Sequence, residues 1–339
     1  MGEGEGGGAA PRRATWPPTP IPSPQGGRGG ARVCLRPTGY TLRAVRLMAF
    51  GPFLLLALME GLVTSAVLAL AAAGLSLVFG VMRVVNVAHG EFFMLGAVLA
   101  WGVASVVPGP PALAFLAALV IAPLLVAALA AAADGLILKR LNYDPEATIV
   151  ATIGLLYMIQ QATLSIYGPN ANPVQAPFEW RIQLPWFGYS GYKLFVILAA
   201  GLVLMALWAV MTRTKAGLIL RATQVDRTTA QTFGINADRV YMGTFALGAG
   251  LAALAGVLIV PITQAHYLMG GDPLLLSFIV VIIGGLGSLR GTLIAALVIG
   301  LSDGVISMFF TPTLAKIIAT LVVAMVLVFR PQGLFGAKA

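Results

Sequence analysis

Ionisable side chains are scarce in this sequence, yet polar residues gather in one short stretch, RVVNVAHGEFFML, residues 83–95. They are Arg83, Asn86, His89 and Glu91. In a membrane, groups of this kind mark the path of a polar solute or a proton. An unpaired charge in hydrocarbon costs at least about 2.5 kcal/mol, so we expect Arg83 and Glu91 to need each other, the backbone or water.

The sequence leaves two interpretations of this cluster open. One is a short cytoplasmic turn in which His89 and Glu91 are solvated, because polar clusters between apolar segments are usually loops. The other is a broken or re-entrant helix near residues 83–91, at membrane depth and lining the substrate path. Glycines would permit the break and close helix contact; they are Gly74, Gly80, Gly90 and Gly96.

Enzymatic chemistry is not predicted by any motif in the chain. The sequence AHGE lacks the His-Glu-x-x-His spacing of a zinc hydrolase, and GGLGSLRG lacks the lysine and the spacing of a phosphate loop. The single cysteine, Cys34, cannot form an internal disulfide, and with only two histidines no metal cluster is expected. We therefore predict no cofactor, no metal and no catalytic residue, and we expect the chain not to hydrolyse ATP by itself.

The elements that position this cluster follow from composition. Of 339 residues 59% are hydrophobic and 10% charged, and the mean hydropathy is +0.92, which predicts an all-α, polytopic transmembrane bundle in the lipid bilayer. We expect eight to nine membrane segments. The apolar runs are 48–82, 92–107, 112–133, 147–167, 194–212, 240–263, 273–289, 291–311 and 313–330.

The net charge of +9 is concentrated at the N-terminus, where seven of the 21 basic residues fall within the first 46. This Gly/Pro/Arg-rich stretch cannot bury a core and lacks the pattern of a signal peptide, so we predict a disordered extension over 1–46, followed by a transmembrane domain over 47–339. Met48 is a natural start. The remaining charge is ordinary for a membrane protein, and nucleic-acid binding is not indicated.

Basic residues predict the orientation. The loop 213–239 carries five of them against two aspartates, so it should be cytoplasmic. Counting crossings from it makes the loop 134–146 and the C-terminal tail cytoplasmic and the loop 168–193 external. Only the run 48–82 is ambiguous, because its 35 residues would form about 52 Å of helix, too long for one crossing of a core about 30 Å thick and marginal for two.

The run GLSLVFGVMRVVNVAHGEFFMLGAVLA, residues 74–100, closely resembles the H-type inner-membrane permease of branched-chain amino-acid ABC importers. Three further motifs carry the same resemblance; they are RATQVDRTTAQTFGINADRVYMGTFALGAGLAALAGVL, IVVIIGGLGSLRGTLIAALVIGL and VLVFRPQGLFG. The resemblance implies a multi-pass subunit of the bacterial inner membrane. It also implies four kinds of partner or substrate: a second homologous permease, two cytoplasmic ATPases, an external binding protein, and leucine, isoleucine or valine.

Similar permeases also serve urea and short amides, so the resemblance alone does not choose the substrate. The rival from another class is a passive channel for a small polar solute such as urea. Such a channel would share the apolar segments and glycines but would need no motor.

A membrane subunit without a nucleotide site must contact its motor through a cytoplasmic element, and TQVDRTTAQTFGIN predicts a short helix ended by Gly234. The ATPase-coupling candidates are Arg227, Thr228, Thr229, Ala230, Gly234 and Ile235. The stretch resembles the importer motif in which Glu-Ala-Ala precedes a glycine, and Thr228, Thr229 and Ala230 occupy those three positions. The glutamate and first alanine are missing, which puts a carboxylate contact in doubt. The alternative is an inert charged loop.

The segment IIGGLGSLRG holds the glycines Gly284, Gly285 and Gly287 and, at its end, Arg290. A tight turn or close helix packing is favoured over a direct role in gating. Glu60, Asp303 and Lys316 are isolated charges inside apolar segments, where each either lines the path or reaches to the membrane surface.

Overall fold

The computed structural model describes residues 39–329, with side chains from residue 51 onward except at six positions in α10 and α11. The extension predicted over 1–46 therefore lies for the most part outside the described residues, as does the tail from residue 330. In the described chain, the helices are α1 (Gly39–Met82), α2 (His89–Val106), α3 (Pro111–Leu136), α4 (Pro145–Tyr167), α5 (Gly191–Arg213), α6 (Lys215–Val225), α7 (Arg227–Thr232), α8 (Ala237–Thr263), α9 (Gly271–Gly284), α10 (Leu289–Phe309) and α11 (Pro312–Phe329).

Two short elements complete the description. A 3₁₀ turn, Leu138–Leu141, follows α3. The strands β1 (Arg181–Gln183) and β2 (Gly188–Ser190) form a small antiparallel hairpin in the loop before α5. The predicted all-α class is confirmed, with this hairpin as the one exception among the described residues.

Each of the nine predicted apolar runs coincides with a helix, namely α1–α5 and α8–α11. By length and composition, seven stretches of the described chain can cross a membrane; they are Gly51–Met82, His89–Val106, Pro111–Leu141, Pro145–Tyr167, Gly191–Arg213, Ala237–Thr263 and Leu289–Met308. α9 is shorter, with 14 residues. The basic loop 213–239 is largely helical, because α6 and α7 occupy most of it.

The centre of the bundle is formed by α1, α2 and α8, which bury more than half of their membrane-length windows, whereas α3, α4 and α5 bury less than a third. Glycines bring the central helices into backbone contact. A Cβ atom added at Gly74 would overlap the carbonyl oxygen of Gly248, and one at Gly96 would overlap that of Ala253. Small residues therefore fix how α1 and α2 pack on α8.

The two ends of the bundle differ in charge. At one end Lys139 forms an ion pair of 3.3 Å with Asp238, which places the turn after α3 beside the start of α8. At the other end Asn172 and Ala265 form an isolated antiparallel bridge that joins the loop after α4 to the turn after α8. The first end carries the basic loop, so it is the end expected in the cytoplasm.

Candidate functional site

The helix break predicted near residues 83–91 is present. α1 ends at Met82, Arg83 has a left-handed φ of 56°, and α2 begins only at His89. Side chains satisfy part of the open backbone, as required within a membrane: the Ala88 amide donates to Asn86 Oδ1 at 3.0 Å, and the Val87 amide donates to Thr152 Oγ1 at 3.2 Å.

The break reaches well into the bundle. His89 Nε2 lies 2.9 Å from the carbonyl oxygen of Ala71, a residue 11 positions before the end of α1, or about 16 Å along the helix axis. That is about half of a hydrocarbon core roughly 30 Å thick. Asn86, His89 and Glu91 are all buried, so the interpretation as a solvated cytoplasmic turn is wrong for these three side chains.

Arg83 lies apart from them. It is exposed, and its guanidinium donates to the carbonyl oxygen of Gln224 in α6 at 3.4 Å. Within residues 51–329 no ion pair joins Arg83 to Glu91, so the expected pair does not form. The reason is the turn at Arg83: its side chain remains at the cytoplasmic end while the following residues re-enter the bundle and carry Glu91 inward on the first turn of α2.

The buried part of the cluster has unused hydrogen-bonding capacity. Asn86 Nδ2, His89 Nδ1 and Glu91 Oε2 are buried and have no hydrogen-bond partner among the described residues. Each buried polar group left without a partner costs about 1–3 kcal/mol. Three such groups lie within six residues, so this segment has donors and acceptors free to bind water, a solute or a rearranged neighbouring helix.

A second helix also begins inside the bundle, next to the first. α9 has 14 residues, or about 21 Å of helix, and its end at Gly284 lies at the cytoplasmic end. At this length α9 is shorter than a hydrocarbon core about 30 Å thick. Gly270, directly before α9, contacts Gly90 in the first turn of α2. The two broken helices meet through their glycines, with no side chain between them.

A cavity of about 410 Å³ adjoins this junction. Ala71 and Phe93 belong to its wall, whereas Arg83, Asn86, His89 and Glu91 do not line it. Two of the isolated charges, Asp303 and Lys316, do line it. The third isolated charge, Glu60, instead forms an ion pair with Lys193, whose Nζ lies 2.6 Å from Glu60 Oε1.

The predicted cytoplasmic helix is α7, and its end is as expected: Gly234 has a φ of 81°, and the Ile235 amide donates to the Ala230 carbonyl at 3.2 Å. Asp226 caps its start, accepting from the Thr228 amide at 2.8 Å and from the Thr229 hydroxyl. These hydrogen bonds, that from the Thr229 side chain first, hold the pKa of Asp226 below its usual value.

Arg227 faces inward from α7. Its guanidinium donates to Asp238 Oδ1 at 3.0 Å and lies 5.3 Å from the ring centre of Tyr143 and 5.0 Å from that of Tyr241. Burial, aided by the nearby Asp134 carboxylate, raises the pKa of Tyr143, whose hydroxyl donates to Asp134 at 3.4 Å. This Arg227 clamp therefore attaches α7 to α8 and to the turn before α4.

The outward surface of the coupling stretch is apolar in one place that the sequence analysis missed. Thr228 and Thr229 are exposed and Ala230 is buried, but the most prominent side chain is Phe233, with 81% of its surface exposed. An aromatic residue directly before a helix-ending glycine, in an otherwise polar loop, was the available signal.

The glycine-rich segment forms the predicted tight turn between α9 and α10. Gly285 and Gly287 have φ values of 99° and 78°, and a Cβ at Gly284 would lie 2.5 Å from the backbone of Gly291. Gly287 also packs against Gly80 near the end of α1. Arg290 is exposed at the same end. Close packing and a tight turn therefore account for the glycines, as favoured from the sequence.

Residues 57–329 match the family model described as "Branched-chain amino acid transport system / permease component". The chain belongs to this permease family. The match includes the break, α7 and the glycine turn, so all three features lie within the family's domain.

Curated relatives of this permease agree. The chain is similar to the high-affinity branched-chain amino acid transport system permease proteins BraD of Pseudomonas aeruginosa (24% identical), LivH of Salmonella typhimurium (26%) and LivH of Escherichia coli (25%). Each comparison covers 82% of this chain and 94% of the relative. No solved structure matches the chain significantly.

Proposed function

We propose that this permease is the membrane-spanning, non-catalytic subunit of an ATP-driven ABC importer in the bacterial inner membrane. It passes leucine, isoleucine or valine from an external binding protein to the cytoplasm. It does so with a second homologous permease and two cytoplasmic ATPases. The observation that carries the proposal is the family match over residues 57–329, together with relatives named as permeases of high-affinity branched-chain amino acid transport systems.

The cytoplasmic end supports a motor rather than passive diffusion. α7 presents Thr228, Thr229 and Phe233 outward, while the Arg227 clamp attaches it to the transmembrane helices. An ATPase that moves α7 would therefore pull on α8. A passive channel needs no such element, and the comparisons do not favour the channel alternative.

For the substrate path we assign Asn86, His89 and Glu91 to a wall that changes its contacts during transport. Their unused donors and acceptors sit at the junction of two broken helices, where a shift of α2 against α9 brings them new partners. Arg83 sits at the cytoplasmic end of the same segment, in contact with α6. The turn at Gly284, Gly285 and Gly287, followed by Arg290, holds α9 close to α10.

The test is uptake by the complete complex in liposomes. Radiolabelled leucine should enter only with ATP, the binding protein and active ATPases present. The matched control is the same complex with the ATPases' phosphate-loop lysine replaced. Equal leucine entry without ATP would instead establish a channel. Calorimetry on the external binding protein with leucine, urea and short amides identifies the substrate, and a protein that bound only urea would contradict the proposed one.

A further inference from the structure

The cavity beside the junction of α2 and α9 is lined by residues of α1, α2, α8, α9, α10 and α11 and of the turn after α8, and its volume of about 410 Å³ falls within the range of small-molecule sites. Its wall near α1 and α8 is apolar, with Val67, Leu68 and Ile259 among the lining residues. His266 and Leu268, from the turn after α8, lie at the end of the bundle expected to be external. The cavity is therefore placed to receive a solute from that side.

The opposite wall carries charges of both signs. Lys316 Nζ lies 2.5 Å from Asp272 Oδ2, and the two side chains remain 37% and 66% exposed. Asp303, half-buried, lines the same cavity and forms no ion pair with any residue that the structure describes. Asp272 is largely exposed and already paired, so Asp303 is the carboxylate of this wall that has no ion-pair partner among the described residues, and charge inside a bundle is retained only if it is paired or wet.

A free aliphatic amino acid complements this arrangement group by group. It carries a carboxylate and an ammonium on one carbon, with an apolar side chain beyond them. Lys316 can exchange its bond to Asp272 for one to the substrate carboxylate, because the Asp272 side chain is 66% exposed and can be solvated by water instead. Asp303 supplies the anion that the substrate ammonium requires. The apolar wall of Val67, Leu68 and Ile259 then receives the side chain.

We infer that this cavity is a transit site for the zwitterionic head group of the transported amino acid, with Lys316 binding its carboxylate and Asp303 its ammonium. A neutral solute such as urea would leave Asp303 without a counter-charge, so this residue disfavours it. The inference rests on the proposed function, and it adds a binding site and a basis for selection within the membrane subunit.

Protection of an introduced cysteine tests the site directly. In the complete complex, with Cys34 replaced by serine, Leu276→Cys places a thiol on the cavity wall and Ser105→Cys places one outside it. Labelling of Leu276→Cys by a small methanethiosulfonate is measured both at rest and during ATP turnover. Excess leucine should slow this labelling. Leucinamide lacks the carboxylate and 4-methylpentanoate lacks the ammonium, so neither compound should slow the labelling. Labelling of Ser105→Cys should be unaffected by all three.

Charge variants then test which residue binds the carboxylate and which binds the ammonium of leucine. Asp303→Asn and Lys316→Gln should each raise the leucine concentration for half-protection at least tenfold, while Lys316→Arg should retain much of the protection. Glu60→Gln is the matched control, because Glu60 is also a membrane carboxylate but pairs with Lys193. Co-purification of all subunits checks that each variant assembles.

Three results would overturn the site: no labelling of Leu276→Cys in any state, no protection by leucine, or unchanged protection in both charge variants. If ATP-driven leucine uptake by the unmodified complex persists alongside such a result, the importer function stands and only the site is wrong. If uptake itself is absent, the proposed function fails.

Discussion

Gly90 and Gly270 touch backbone to backbone: a Cβ atom added to either would overlap the carbonyl oxygen of the other. The contact joins the first turn of α2 to the residue before α9, so it is where the two broken helices are held together. α9, with 14 residues, is too short to cross a membrane alone, and the relative position of α2 and α9 depends on this pair.

Replacing Gly270 with alanine should therefore destabilise the subunit, by about 1–3 kcal/mol for overpacking that the backbone must relieve. Gly271→Ala is a matched control, because nothing lies within 4 Å of the Cβ it would add. Thermal unfolding of the purified complex should show a lower Tm for Gly270→Ala and little change for Gly271→Ala. Equal Tm values would mean that the contact does not hold the helices together.

The second prediction concerns the cap of α7. Gly234→Val puts a β-branched residue at a φ of 81°, a conformation that such residues avoid. Leucine uptake per ATP hydrolysed should fall several-fold, with insertion and assembly unchanged. Gly135→Val is the control, since Gly135 lies in open space and has no positive φ. Unchanged uptake per ATP in Gly234→Val would remove α7 from the coupling mechanism.

Phe233 should be the apolar anchor of ATPase docking. Phe233→Ala is expected to weaken co-purification of the ATPases by at least tenfold, because exposed aromatic residues at interfaces commonly contribute 2 kcal/mol or more, as an order of magnitude. Trp186→Ala removes an aromatic side chain that is 64% exposed in the loop before α5, at the opposite end, and should have no effect. ATPase binding that survives Phe233→Ala places the docking surface elsewhere.

The Arg227 clamp should stabilise the fold at the upper end of the range for exposed ion pairs, because the guanidinium also lies over two aromatic rings. Arg227→Lys keeps the charge but loses the planar group between Tyr143 and Tyr241. Its free energy of unfolding should therefore lie between those of the unmodified chain and Arg227→Gln. A double-mutant cycle with Asp238→Asn should give a coupling free energy of about 1 kcal/mol, measured by unfolding of the complex. Arg239→Gln, at an exposed neighbouring position, is the control, and a coupling energy near zero would contradict the clamp.

Thiol accessibility should separate the two parts of the broken segment. In a chain with Cys34 replaced by serine, Arg83→Cys should react quickly with a water-soluble reagent, because Arg83 is exposed. Asn86→Cys, His89→Cys and Glu91→Cys should react slowly at rest, because these positions are buried. ATP turnover should change the three slow rates and leave that of Arg83→Cys unchanged. If the three slow labelling rates were the same with and without ATP turnover, the segment would have a packing role only, and its assignment to the substrate path would be wrong.

The sequence predicted what depends on local pattern. Long apolar runs located nine helices, the polar cluster at 83–91 located the break, and the glycine at 234 located the end of α7. It did not predict how deep α2 begins, because that depth is set by packing of His89 against Ala71, 18 residues away.

Partners across the bundle were likewise hidden. Arg83 and Glu91 looked like a pair because they are close in sequence, yet the left-handed turn at Arg83 separates them, and Arg83 contacts Gln224 instead. Lys316 and Asp272 meet across 44 residues with no local signature. Composition predicts that such charges need partners, but only the tertiary structure chooses them.

The exposed ring of Phe233 also bears on how much of this subunit a cell can hold. A chain made in excess of its ATPases would present that ring to water, next to a cap whose geometry tolerates little distortion. Exposed apolar side chains of this kind are what chaperones and proteases recognise. The subunit's lifetime should therefore follow the supply of its motor, so that surplus chains are removed and stoichiometry is enforced after synthesis.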